Sequence, residues 1–132
     1  MNLRGKKLTD LLDSWCWIEY FNGTKLGASI AKYIDSDENL FISVINLAEV
    51  YKWGLSKRNE KDADSMIHIM LSRCFIVPVE PETALNAAKL NWQKKWGLGD
   101  SLIYASAKAH NLQLVSGDPH FKKEKDVVYL GK

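Results

Sequence analysis

Short apolar runs that read as buried strands alternate along this chain with longer stretches whose apolar residues recur at helical spacing. No hairpin turn stands between any two of the runs. The strand-like runs are Leu8 to Leu12, Leu40-Phe41-Ile42, Cys74-Phe75-Ile76-Val77, Leu112 to Ser116 and Val127-Val128-Tyr129-Leu130. Between the first two lie a helical turn or two from Ser14 to Phe21, ended by Asn22-Gly23, and a helix carrying Leu26, Ile30, Tyr33 and Ile34. Ser43 is placed to cap a helix from Val44 to about Ser56, with Val44, Leu47, Ala48, Tyr51 and Leu55 as one stripe. A further helix has Ala63, Met66, Ile67, Met70 and Leu71 on one face. Pro81 suits the first turn of the next, whose predicted inward face is Leu85, Ala88, Trp92 and Trp96. Gly97 and Gly99 precede a last helix, Ser101 to about His110, which is apolar or small nearly all round and is expected to be packed on more than one side. Parallel neighbours need a crossover, and helices supply it here. The pattern therefore predicts an α/β fold, one three-layer α/β/α domain over residues 1–132 with a central parallel sheet of about five strands.

The remaining bulk features mainly exclude. With 46% hydrophobic and 26% charged residues the chain is neither disordered nor fibrous. No apolar stretch reaches the ~20 residues that span a bilayer, and no signal core follows the basic start Met1 to Lys7, so a cytoplasmic protein without membrane contact is expected. Cys16 and Cys74 fall in segments that read as buried and are taken as free core thiols. A net charge of +2 decides little about partners. The positive residues do cluster, at Lys52, Lys57 and Arg58 and again at Lys122, Lys123 and Lys125, which serves a solvated surface or a phosphate-binding one.

Four acids occupy particular places on this map. Asp13 ends the first strand, and Asp118 follows the fourth by a single glycine. In open α/β sheets ligands bind beyond the carboxyl ends of the strands, where the strand order reverses, so these two can face one crevice. Asp100 starts a helix after a glycine-rich turn, and Glu49 lies on the second turn of the helix leaving the second strand. Each has an ordinary structural reading. Asp13 and Asp100 can cap helices, Asp118-Pro119 is a turn signal, and Glu49 can pair with Lys52 on a solvated helix. Four converging carboxylates, however, repel one another unless cations neutralise them, and Mg²⁺ or Mn²⁺ accepts such oxygen ligands.

At the level of motifs the chain resembles the PIN-domain nucleases, and among them the VapC-type toxins of toxin–antitoxin pairs. The resemblance is carried by Leu12-Asp13-Ser14 with Trp17-Ile18-Glu19-Tyr20-Phe21, by Ile42-Ser43-Val44-Ile45-Asn46-Leu47-Ala48-Glu49-Val50-Tyr51, by Leu98-Gly99-Asp100-Ser101-Leu102-Ile103-Tyr104-Ala105-Ser106-Ala107, and by Leu114-Val115-Ser116-Gly117-Asp118-Pro119-His120-Phe121. These span nearly the whole chain in the family's order. The family's acidic quartet falls on Asp13, Glu49, Asp100 and Asp118, its small polar residue on Ser116, and its hydroxyl after the first acid on Ser14. Two departures stand out: residues 1–6 precede the point where the family usually starts, and Gly117 replaces a residue that is often basic or polar.

The resemblance implies a Mg²⁺- or Mn²⁺-dependent endoribonuclease that leaves a 3′-hydroxyl and a 5′-phosphate on single-stranded or looped RNA. Asp13 and Asp100 would be the principal metal ligands, Glu49 and Asp118 direct or water-mediated ones, and Ser116 would orient the last carboxylate or the attacking water. It also implies a VapB-type antitoxin and a homodimer. Trp53, next to Lys52 near the end of its helix, lies where the antitoxin would dock or else simply packs. His120 is expected to stay outside the chemistry, His68 and His110 to be structural, and Trp15, Trp17, Trp92 and Trp96 to belong to the core. Two other functions remain open, a PIN nuclease of RNA processing or decay and a metal-binding interaction module without catalysis. A receiver-like domain is set aside, since it carries adjacent acids after the first strand and a lysine after the last.

Overall fold

The computed structural model describes residues 9–131, and the predicted extension over residues 1–6 and Leu8 of the first run lie outside them. Among the described residues five strands form one sheet: β1 (Asp10–Leu12), β2 (Leu40–Ser43), β3 (Cys74–Val77), β4 (Gln113–Ser116) and β5 (Val127–Tyr129). Their order is β3-β2-β1-β4-β5, and every pairing is parallel. The register sets Leu11 opposite Leu114 and Phe41, and Leu12 opposite Val115. Among the described residues six α-helices make the crossovers as far as β4, namely α1 (Ser14–Asn22), α2 (Lys25–Ile34), α3 (Val44–Lys57), α4 (Glu60–Arg73), α5 (Pro81–Lys94) and α6 (Leu98–Ala109), and β4 connects to β5 without an α-helix. The expected three-layer α/β/α arrangement is the one observed.

Alternation along β1 divides the core in two. Leu12 joins Cys16, Trp17, Ile30, Ile42, Val50, Met66 and Met70 beneath α1 to α4. Leu11 joins Val77, Trp96, Ile103, Tyr104, Leu114 and Phe121 beneath α5 and α6. Local signals fix the ends of the elements. Asp13 and Ser43 cap α1 and α3, with Asn46 completing a capping box on Ser43. Gly23, at φ 66°, turns the chain out of α1.

Two helices sit rotated from their predicted faces. In α3 the inward side is Asn46, Val50 and Gly54, while Val44 and Leu55 of the predicted stripe are exposed. The cause is α4: Ala63 and Met66 press on Gly54, which brings that face of α3 toward the core. In α5 the buried side is Thr83 and Ala87, so Ala88 lies outside and Leu85 and Trp92, expected inside, are 67% and 74% exposed. Trp96 does reach the core, but from beyond the end of α5, edge-on to Tyr104 and Phe121. Leu71 of α4 is exposed as well. Cys16 is buried and Cys74 only partly so, and both are free thiols. As the sheet's edge, β3 leaves Phe75 and Ile76 in solvent although the run reads as buried. The last helix is nearly surrounded, as its composition requires, and starts earlier than expected, at Leu98.

A candidate metal-binding active site

The strand order reverses around β1, and the crevice sits beyond the carboxyl ends of β1 and β4. Asp13, Ser14, Trp15, Ile18, Glu49, Asp100 and Asp118 line it, enclosing about 300 Å³. All four predicted acids are thus brought together. Asp13 follows β1 directly and Asp118 follows β4 after Gly117. Asp100 lies in the first turn of α6, whose start follows from Gly97 as cap. Glu49 reaches across from α3, its carboxylate lying against Gly99, where a Cβ would stand 2.5 Å from Oε2 and displace it. The amino ends of α1 and α6 both open here, favouring negative charge.

Hydrogen bonds fix the carboxylates. The buried Asp13 accepts from Ser14 N at 2.8 Å through Oδ1 and from Ser116 Oγ at 2.6 Å through Oδ2. Ser116, wholly buried, accepts in turn from Asp118 N at 3.0 Å. The serine was expected to orient the last carboxylate or a water. Its side chain instead holds the first carboxylate and only the backbone of the last acid. Glu49 Oε1 accepts from Ser14 Oγ at 2.6 Å, and that hydroxyl accepts from Asn46 Nδ2 at 2.9 Å. Asn46 Oδ1 is bound to Ser43 N at 2.8 Å. Asn46 escaped the sequence reading as a site residue; the available signal was its place as the third residue of a serine-capped helix, three before Glu49.

His120 also differs from expectation. Its Nδ1 lies 2.9 Å from Asp100 Oδ2 and 3.3 Å from Asp118 Oδ1, while its backbone N donates to Asp118 Oδ1 at 2.9 Å. Trp15 is only half-buried and lines the crevice, whereas Trp17 is core. Trp53 packs against the core with the Arg58 guanidinium 5.6 Å from its ring centre, which favours the packing role. His68 is exposed and His110 lies 3.3 Å from Pro78 O. Lys122, Lys123 and Lys125 are exposed just beyond the η1 turn (Pro119–Phe121) that follows Asp118.

The electrostatics are those of crowded acids. Burial pushes Asp13 up to about 7, the Ser116 hydrogen bond opposing it and the charges of Asp100 and Glu49 adding to it. Burial likewise raises Glu49 and Asp100, with further upward contributions from neighbouring carboxylates. His120 is raised, first by its bond to Asp100. One ligand atom each from Asp100, Asp118 and His120 lies within 4.8 Å of the others. Oxygen-rich, mutually repelling and partly dehydrated, this donor set fits a hard divalent cation, with the imidazole as an optional nitrogen donor.

The sequence profile of the PIN domain matches residues 11–126. No curated protein matches by sequence. Among solved structures, a toxin–antitoxin complex from Klebsiella pneumoniae is similar at TM-score 0.71 and 22% identity, covering 90% of this chain and 95% of that one. VapBC2 from Rickettsia felis, bound to a DNA fragment from its promoter, matches at TM-score 0.71 and 20% identity, with 94% and 98% covered. VapC20 from Mycobacterium tuberculosis, a toxin that cleaves the sarcin–ricin loop, matches at TM-score 0.68 and 12% identity, with 79% and 85% covered. At such identities the likeness is one of fold.

Proposed function

This chain belongs to the PIN domain family, and from that premise we propose that it is a Mg²⁺- or Mn²⁺-dependent endoribonuclease, the toxin of a VapBC-type pair. The observation that carries the reading is the convergence of Asp13, Glu49, Asp100 and Asp118 on one crevice at the carboxyl ends of β1 and β4. Similarity in fold to toxin–antitoxin complexes, and to a toxin that cleaves the sarcin–ricin loop, supports RNA as the substrate.

Asp13 and Asp100 would hold the ion, with Glu49, Asp118 and the nearby imidazole of His120 completing its surroundings directly or through water. A bound divalent ion supplies charge neutralisation for the incoming phosphodiester and lowers the pKa of a coordinated water. The chain's own residues prepare for this. Ser116 and Ser14 hold the carboxylates of Asp13 and Glu49 in fixed orientations, so little reorganisation is needed when charge develops. Asn46 fixes the donor direction of Ser14. The amino ends of α1 and α6 favour a phosphate arriving at the crevice.

For the inhibitor, an apolar groove between α3 and α4, about 320 Å³ and lined by Leu47, Ala48, Tyr51 and Ile67, suits an apolar helix of a VapB-type antitoxin. For the homodimer, the exposed Leu85 and Trp92 on α5 offer a separate surface. Among the described residues no helix is long and apolar enough to cross a membrane.

The test is cleavage of total cellular RNA by purified protein with Mg²⁺ or Mn²⁺, the new ends mapped by sequencing, beside identically prepared Asp100→Asn. Discrete, metal-requiring cuts that vanish in the variant are expected. Cuts that persist in the variant would remove the proposed assignment. Silence from both proteins, with Mn²⁺ bound only by the wild type, would favour a non-catalytic metal-binding module.

A further inference from the structure

We infer that Trp15, seated over Gly117, is a nucleobase platform that stacks the base beside the cleaved phosphodiester. The inference rests on the RNA reading above and names how the substrate is gripped.

The crevice has two kinds of wall. Carboxylates of Asp13, Glu49, Asp100 and Asp118 make one; Trp15 and Ile18, one turn apart on α1, make the other. A site meant only to hold an ion gains nothing from a half-exposed indole, which costs hydration free energy where it stands. Next to every phosphodiester in RNA, however, is a flat base, and stacking on an indole is its usual complement in single-strand recognition.

Gly117 supplies the second observation. Its backbone does not demand glycine, since Gly23 is the glycine found at positive φ among the described residues. Space does, for as long as the indole keeps its place. A Cβ at position 117 would fall within 2.6 Å of Trp15 Cε2 and closer still to Cζ2 and Cη2. The indole therefore lies directly on the loop joining Ser116 to Asp118, in a seat that any side chain would fill. A flanking acid, a glycine without a backbone reason and an aromatic over it form one construction. Ile18 and the cluster beneath α1 steady the other end of the helix face, as Trp15 itself packs on that core. A ring held in this way loses little freedom on binding, which favours its use as a rigid anchor.

The decisive measurement is fluorescence anisotropy with a labelled single-stranded RNA roughly ten nucleotides long, intact or carrying one abasic site moved along the strand, with Ca²⁺ replacing Mg²⁺. Wild type should lose about ten- to a hundredfold in affinity when the abasic site reaches one position. Trp15→Leu should bind the intact strand as weakly as wild type binds that abasic one, and should no longer discriminate. Gly117→Ala should resemble it, and Trp15→Phe should keep most of the discrimination, which separates a lost platform from a damaged fold. In cleavage assays the loss in Trp15→Leu should fall on KM more than on kcat. If wild type and Trp15→Leu treat all strands alike while RNA is still cut, the platform is refuted and the nuclease stands. If base-dependent binding through Trp15 is present but no RNA is cut, the nuclease reading falls and the platform stands. If RNA is neither bound nor cut, both fall.

Discussion

Asp13 is the residue on which the site's stability cost concentrates. It is buried, it ends the central strand and it caps α1, yet its carboxyl is pushed up to about 7 against an ordinary value of 3.8. A raised acid binds its proton more tightly in the folded state. Between about pH 4 and pH 7 the folded protein therefore holds more protons than the unfolded chain, and stability falls as the pH rises through that window. The contribution is fully present below the unfolded value and lost above the folded one; Glu49 and Asp100 shift in the same direction. In metal-free buffer, denaturant titrations should find the protein less stable at about pH 8 than at about pH 5.5, by an amount of the order of a few kcal/mol. Asp13→Asn should flatten that dependence and be the more stable protein at the higher pH. Equal wild-type stability at both values would show that the carboxyl titrates normally.

At the scale of elements, the helix pair α3 and α4 turns on one missing side chain. An alanine at position 54 would place its Cβ 2.9 Å from Ala63 Cβ and 3.1 Å from Ala63 Cα, with Met66 Sδ at 3.3 Å. Overpacking of this kind costs roughly 1–3 kcal/mol, against about 1 kcal/mol of helix propensity regained from glycine. Gly54→Ala should therefore lower the thermal midpoint, and a midpoint at or above the wild type would mean that α4 shifts freely. The same contact explains what sequence could and could not supply. Periodicity and caps were enough to locate the six α-helices and five strands of the described residues, because Ser43, Pro81, Asn22-Gly23 and Gly97 punctuate the chain locally, whereas the short η1 helix after Asp118 reads only as a turn. Which side of α3 or α5 faces inward was not legible from apolar spacing, because it depends on Gly54, Thr83 and Ala87, small residues whose role is close approach. The acids were legible because their places at strand ends and helix starts follow from topology. His120, Asn46 and the exposed side of Trp15 were not, since each depends on how two distant segments meet.

For the whole molecule, the two helical layers leave different apolar surfaces uncovered on opposite faces of the sheet. On the layer of α1 to α4 is the groove between α3 and α4, lined by Leu47, Ala48, Tyr51 and Ile67; on the other face are Leu85 and Trp92 of α5, with Phe75 on the edge strand 59% exposed. Large exposed aromatics are unfavourable in a lone soluble chain and commonly mark contacts. Assigning the first surface to the antitoxin and the second to another copy of this chain makes the two associations separable. Trp92→Glu with Leu85→Glu should reduce the sedimenting mass from dimer to monomer while the antitoxin still binds, because no groove residue changes. Ala48→Glu should abolish co-purification with a co-expressed VapB-type antitoxin while the dimer persists, since a buried unpaired carboxylate in that groove costs several kcal/mol. A wild-type monomer would remove the dimer assignment. Loss of both associations from either variant would mean that the two surfaces are coupled, with antitoxin bound only by the assembled dimer.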